Sequence, residues 1–165
     1  LLVTFGFGGG ASAQTICQFG GTSSFSPNLT GQPSSGPIAF RFGGMLSGCQ
    51  GSSATTFEGA TVSTASGTIA EGGSCSAAIY DVDEFTITDA FGAELCRGSI
   101  PESQGVAAAG IATAVPQEID CGARGSGFAA FQLQFLVPPD PTIIEKCGAE
   151  GLSQLSFSGL FESQP

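Results

Sequence analysis

The 165-residue chain has no histidine and no tryptophan, and only one lysine, one tyrosine and one methionine. Without histidine there is no Ser-His-Asp triad, no Cys-His pair and no histidine-ligated metal. Four cations against 14 carboxylates leave a net charge of −10. That balance excludes a nucleic-acid binder and a polybasic membrane-surface protein. No apolar run reaches the length of a membrane span. C-x-x-C is missing as well, and with it the closely spaced ligand pairs that zinc knuckles and thiol redox motifs need.

What the chain does have is 26 glycines, 9 prolines, 20 serines and 14 phenylalanines. Leu, Ile, Val and Phe together number 40, enough to bury a core. The length suits one ordered domain. So many Phe beside a single Tyr place the aromatics mainly inside.

Period-two alternation dominates. Ile38, Phe40 and Phe42 alternate with Ala39 and Arg41; Phe131, Leu133, Phe135 and Val137 alternate with Gln132, Gln134 and Leu136. Leu155, Phe157 and Phe161 share one parity, and Phe85 and Ile87 face away from Thr86 and Thr88. Half-buried alternation of this kind is the mark of antiparallel strands. Turn-forming clusters at 26–28, 32–37, 43–44, 48–53, 71–73 and 138–141 separate the runs. The expectation is an all-β antiparallel sandwich or barrel of about eight to ten strands. The alanine-rich stretch 102–115 fits a strand or a glycine-weakened helix, and 141–147 carries helix punctuation for a turn or two. There is no convincing internal repeat; the wording of Phe40–Gly48 is loosely echoed at Leu155–Phe161, which fits either shared composition or two glycine-bearing strands that are pseudo-symmetric partners.

Residues 1–13 read as the tail of a secretory signal. An apolar stretch runs into Ala11-Ser12-Ala13, a small-x-small ending that places cleavage before Gln14. The alternative is a free strand, Val3, Phe5 and Phe7 on one face, donated to the sheet of a neighbouring subunit. Residues 14–165 then form the single domain. All six cysteines (Cys17, Cys49, Cys75, Cys96, Cys121 and Cys147) fall within it. An even, dispersed set behind an export signal predicts three disulfides, an extracellular location and no free thiol. Six cysteines allow 15 connectivities. Sequential pairing, 17–49, 75–96 and 121–147, is expected because the resulting loops match neighbouring strands.

The order Cys17-Gln-Phe19-Gly-Gly, Phe25-Ser-Pro27-Asn-Leu29-Thr30, Phe40-Arg-Phe42 and Leu46-Ser47-Gly48-Cys49 resembles a group of small secreted actinobacterial proteins. The late Cys147, Gly151-Leu152 and Leu155-Ser-Phe157-Ser-Gly159 are similar too. The resemblance implies an all-β, disulfide-bonded domain outside the cell and supplies no catalytic residues.

Candidate chemistry is sparse. Asp81 and Asp83 project to one strand face with Glu84 on the other, and Asp89 follows at a turn. Together Asp81, Asp83 and Asp89 are a candidate calcium site, although a solvated acidic loop accounts for them as well. Carboxylate pairs such as Asp83 with Glu94, or Glu118 with Asp120, are the only vocabulary for a hydrolase. Arg41 and Arg97 are expected to pair with surface carboxylates. Asn28-Leu29-Thr30 is a formal glycosylation sequon that also suits an ordinary turn. The expected function is a secreted, non-enzymatic structural or binding module at the cell surface. It needs no cofactor, and its partners are itself or a surface component. A filament subunit using residues 1–13 as donor strand is the alternative, followed by a carboxylate hydrolase or a calcium-dependent carbohydrate binder. Intact mass of protein from its natural host checks the processing. A species matching Gln14–Pro165 that gains about six hydrogens on reduction is expected; retention of the Val3-Phe5-Phe7 segment favours the donor strand.

Overall fold

A computed structural model describes residues 14–108, 110–114, 116–134, 147–148 and 150–164. The segment 1–13, the residues Phe135 and Val137, and the 141–147 turn apart from Cys147 lie outside the described residues. Nine strands occur among the described residues: β1 (Thr15–Leu29), β2 (Ile38–Gly51), β3 (Thr61–Ile69), β4 (Ala77–Thr88), β5 (Glu94–Ala108), β6 (Ile111–Ala114), β7 (Gln117–Asp120), β8 (Ser126–Gln134) and β9 (Leu152–Gln164). A short helix, α1 (Ala54–Phe57), joins β2 to β3. No helix among the described residues is long and apolar enough to cross a membrane.

All strands belong to one sheet, ordered β4-β3-β2-β1-β9-β8-β6-β5-β7, and the additional β4–β5 and β8–β7 pairings close it on itself. β6 and β7 lie in line between β5 and β8, so together they fill one place in the ring. The result is an antiparallel up-and-down barrel of eight places, each pairing with its neighbours in chain order and β9 returning to β1. Of the two all-β architectures anticipated, the barrel forms. Every strand has a hydrogen-bonded neighbour on both sides, so no strand slot stands open among the described residues.

The inward parity is the one the alternation marked. Ile38, Phe40 and Phe42 on β2, Phe85 and Ile87 on β4, Phe131 and Leu133 on β8, and Leu155, Phe157 and Phe161 on β9 are all buried. Within the alanine-rich 102–115 stretch, the described residues up to Ala108 are strand in β5 and Ile111–Ala114 are β6, with a turn at Gly110. The two echoing segments flank β1, one on β2 and the other on β9. Two turn expectations fail. Ser26-Pro27-Asn28 and Gly43-Gly44 both lie within strands.

Gly44, and several other strand glycines, serve as space rather than as turns. Inside the barrel, aromatic residues stand directly opposite glycines on the next strand: Phe40 faces Gly67, Phe85 faces Gly98, Tyr80 faces Gly105, and Phe19 faces Gly159. A Cβ built on Gly67 would lie 2.5 Å from the Phe40 ring, and one on Gly98 2.7 Å from Phe85. The Phe40, Tyr80 and Phe85 rings therefore fill the space where the facing residue's side chain would stand, which only a residue without one permits, while Gly159 makes room for the β8 backbone at Gln132. Gly44 likewise leaves room for the Phe19 ring, 2.6 Å from where its Cβ would be.

At the end of the barrel where β1 begins, the interior is solid. Phe19 packs edge-on against Phe157 with ring centroids 5.0 Å apart, and Phe131 sits at 5.1 Å from Phe85 and 5.4 Å from Phe161. Helix α1 brings Phe57 onto Phe161 at 5.4 Å and so plugs this lower end. Glu58, just after the helix, accepts the backbone N–H groups of Gly48 and Cys49 at 3.1 and 2.8 Å.

The six cysteines form three disulfides: Cys17–Cys49, Cys75–Cys147 and Cys96–Cys121. Only the first follows the sequential pattern. Cys75 precedes β4 at the upper end and Cys96 follows it at the lower, twelve strand residues apart. That is about 40 Å, far beyond the roughly 7 Å a disulfide spans. The nine residues of β8 separate Cys121 from Cys147 in the same way. Cys96 and Cys121 instead extend the β5–β7 ladder beyond the Arg97–Asp120 pair, with Cα atoms 4.0 Å apart. Cys17 reaches Cys49 through a register shift between Ile16 and Gln18, where Gly48 turns at a φ of 59°.

The aromatic–glycine pairing predicts a contrast between two substitutions. Gly98→Ala is expected to destabilise by about 1–3 kcal/mol, since its methyl meets the Phe85 ring. Gly43→Ala, with nothing within 4 Å of its Cβ, should stay within about 0.5 kcal/mol of the parent. Urea denaturation of the oxidised proteins measures both.

Candidate functional site

Above the phenylalanine floor the barrel is not filled. A cavity of about 780 Å³ occupies its upper half. Phe42 and Phe131 form the base; Phe25, Phe40, Leu133 and Leu155 form much of the wall. The opposite wall is low because β4 to β6 turn small residues toward it: Ala78, Ala107 and Ala112 line the space where the lower half carries Phe85, Ile87 and Ile119. The alanine-rich stretch noted in the sequence is thus part of what makes the room.

Tyr80 crosses this wall. Its ring stands at 87° to Phe40 with centroids 5.9 Å apart, and its hydroxyl donates to the Thr113 carbonyl at 2.8 Å. Gly105, on the strand between, lets the ring pass over β5 to reach that carbonyl on β6. Burial pushes the phenol well above its ordinary pKa, so it stays a neutral donor.

The upper rim is tied together. Cys75 N–H donates to the Thr30 carbonyl and Gly31 N–H to the Cys147 carbonyl, both at 2.8 Å. Ser34 and Gly72-Gly73 exchange two further backbone bonds of 2.9 and 3.0 Å. The Cys75–Cys147 disulfide crosses the same rim and lines the cavity. Among the described lining residues none is charged, and the polar side chains are Ser23, Ser74, Ser76 and Tyr80.

The acidic residues singled out from the sequence are elsewhere. Asp81 and Asp83 lie on the outside of β4, and Asp83 accepts the Ser66 hydroxyl at 2.6 Å. Glu84 is outside too, because the β4 ladder is irregular between Val82 and Phe85, so the alternate-face placement expected for it does not hold. Asp89 sits at the β4–β5 turn, where it accepts the Phe91 and Ala93 N–H groups at 2.9 Å each. Six strand residues, about 20 Å, separate Asp83 from Asp89. The structure does not bring the three together, and no metal-sized group of three or more carboxylates or cysteines occurs among the described residues.

The remaining candidates also face outward. Glu94 holds Arg97 through two bonds of 2.8 and 3.0 Å, with Glu84 at 3.8 Å, as expected for that arginine. Arg41 is exposed on β2 without an ion pair among the described residues, which departs from the pairing expected of it. Glu118 is exposed, and Asp120 accepts the Gly122 N–H at 2.8 Å in the turn after β7. In the sequon, the Asn28 amide donates to the Glu150 carbonyl at 3.3 Å and Thr30 bonds Gln32, both structural tasks. No family model, curated protein or solved structure matches the chain.

Two outer carboxyls are held above their ordinary values. For Asp81 the cause is burial first, then the nearby Asp83 and Glu102; for Glu162 it is burial, partly offset by the Gln14 amide. A carboxyl that binds its proton more tightly folded than unfolded opposes folding at neutral pH, and stops doing so as pH falls through its raised pKa. The Tm is therefore expected to rise as pH drops from neutral into the upper carboxylate range. Asp81→Asn should raise the neutral-pH Tm and flatten that rise, both readable by calorimetry; a monotonic fall on acidification, unchanged by the substitution, contradicts it.

Proposed function

We propose that the protein is an extracellular binding module, non-enzymatic, whose barrel interior holds one small hydrophobic molecule. The observation that carries this reading is the cavity of about 780 Å³ inside an otherwise packed barrel. A ring of eight strands is just wide enough either to fill with side chains or to hold one small ligand. Here the lower half takes the first course and the upper half the second. Size and apolar lining both fall within the range of small-molecule sites. Hydrocarbon walls offer a ligand desolvation and shape rather than acid–base chemistry, and Asp81, Asp83 and Glu84 lie on the other side of the sheet.

Location outside the cell rests on three disulfides, which persist in oxidising compartments. The likeness of the cysteine-flanking motifs to small secreted actinobacterial proteins points the same way.

Titration of the oxidised protein with N-phenyl-1-naphthylamine, a neutral dye that brightens in apolar surroundings, tests the reading. Saturable, one-to-one enhancement is expected. Ala112→Phe fills the cavity from β6 and should weaken dye binding by about tenfold or more, with the oxidised fold retained by circular dichroism. Enhancement that is absent, or unaffected by Ala112→Phe, overturns the proposal.

A further inference from the structure

Resting on that reading, the cavity also specifies the kind of molecule it takes. We infer that the ligand is an uncharged lipophile bearing one hydroxyl or carbonyl oxygen, and that Ser23 is the residue that recognises it.

The first half of the inference comes from charge. None of the described lining residues carries one. Arg41 projects from the outer face of β2, Arg97 is held by Glu94, and Arg124 is exposed in the turn after β7 at the closed end. Against the described residues, a carboxylate or sulfonate entering the barrel would lose its hydration without gaining a cation, inside a protein of net charge −10. An ammonium fares no better against the described residues, because no described lining residue is acidic and Asp81 and Asp83 lie on the outside of the sheet. Neutral molecules meet neither cost.

The second half comes from the four polar side chains in the wall. Tyr80 already donates to Thr113. The Ser74 hydroxyl accepts the Ser76 and Ala77 N–H groups at 3.3 and 3.4 Å, and Ser76 is exposed at the rim. Ser23 is different. It is 3% exposed, lines the cavity, and its hydroxyl has no hydrogen-bond partner among the described residues. In the ladder it stands between Phe42 on β2 and Leu155 on β9, two other lining residues. Ser23 thus lines the cavity with an unused hydroxyl, and a ligand oxygen at its level can take up that hydrogen bond. Of the two buried polar residues on the inward parity of β1, Thr15 accepts the Ser53 N–H at 2.9 Å, and Ser23 is the one that lines the cavity.

Displacement of N-phenyl-1-naphthylamine from the oxidised protein at pH 8 by four eight-carbon compounds separates the terms: 1-octanol, 1-octene, octanoate and octylamine. Octanol should displace the dye best, with octanoate and octylamine weaker by at least about tenfold. Ser23→Ala should weaken octanol by about three- to tenfold and leave octene unchanged. The octene arm also reports that the variant keeps its cavity. Octanoate or octylamine matching octanol overturns the neutrality of the ligand; equal losses of octanol and octene in Ser23→Ala overturn the role of Ser23. Failure of the dye itself to bind overturns the binding reading, a result distinct from either.

Discussion

The contact on which this barrel depends is an aromatic ring lying across a glycine on the next strand. Phe40, Tyr80 and Phe85 each face one in the ladder, and the Phe19 ring lies against Gly44. The glycine supplies no packing surface of its own and weakens its strand, while the ring covers the bare backbone and recovers buried apolar area. Because each pair spans two strands, the set binds neighbours laterally around the ring as well as filling its interior. The chain's glycine content, which on composition alone points toward loops, is thus partly a property of the core.

The same device shapes the cavity. Tyr80 can reach across β5 to a carbonyl on β6 only because Gly105 lies beneath it. The hydroxyl is thereby used up, and the ring becomes a wall with little free polarity. The contrast between a floor of interlocked phenylalanines and an upper half bounded by alanines arises along the strands themselves, since β4 carries Ala78 toward one end and Phe85 and Ile87 toward the other. Packing density changes along the barrel axis without any change in the hydrogen-bonded frame.

Much of the frame was legible in the sequence. Alternation identified the inward faces of β2, β4, β8 and β9, because a half-buried strand must sort its side chains by parity. Turn chemistry was less dependable. Gly43-Gly44 and Ser26-Pro27-Asn28 have the composition of turns, and what overrides it is lateral: residues across the ladder need the room or supply the pairing. The disulfides divide the same way. Six dispersed cysteines imply three bonds, but partners follow from which end of a strand each cysteine occupies, and that requires strand lengths. The cavity was the least legible, because an internal space is marked only by where small residues fall on several strands at once. Ser23 left a faint trace as a polar residue on the inward parity of β1. The acidic cluster drew attention for its density, yet its members are distributed along the outside of one long strand and its turn.

The placement of the three disulfides divides the barrel into sections. Cys17–Cys49 makes β1 and β2 one covalently closed piece, while Cys75–Cys147 encloses β4 through β8 with Cys96–Cys121 nested inside it. Only β3 and β9 lie outside these loops, and they are the two strands that flank the β1–β2 pair in the ring. The protein is built like a cask of two hooped sections joined by two plain staves. A peptide bond cut within either section leaves that section in one piece, whereas a cut beside β3 or before β9 leaves the seam held by backbone hydrogen bonds and packing alone.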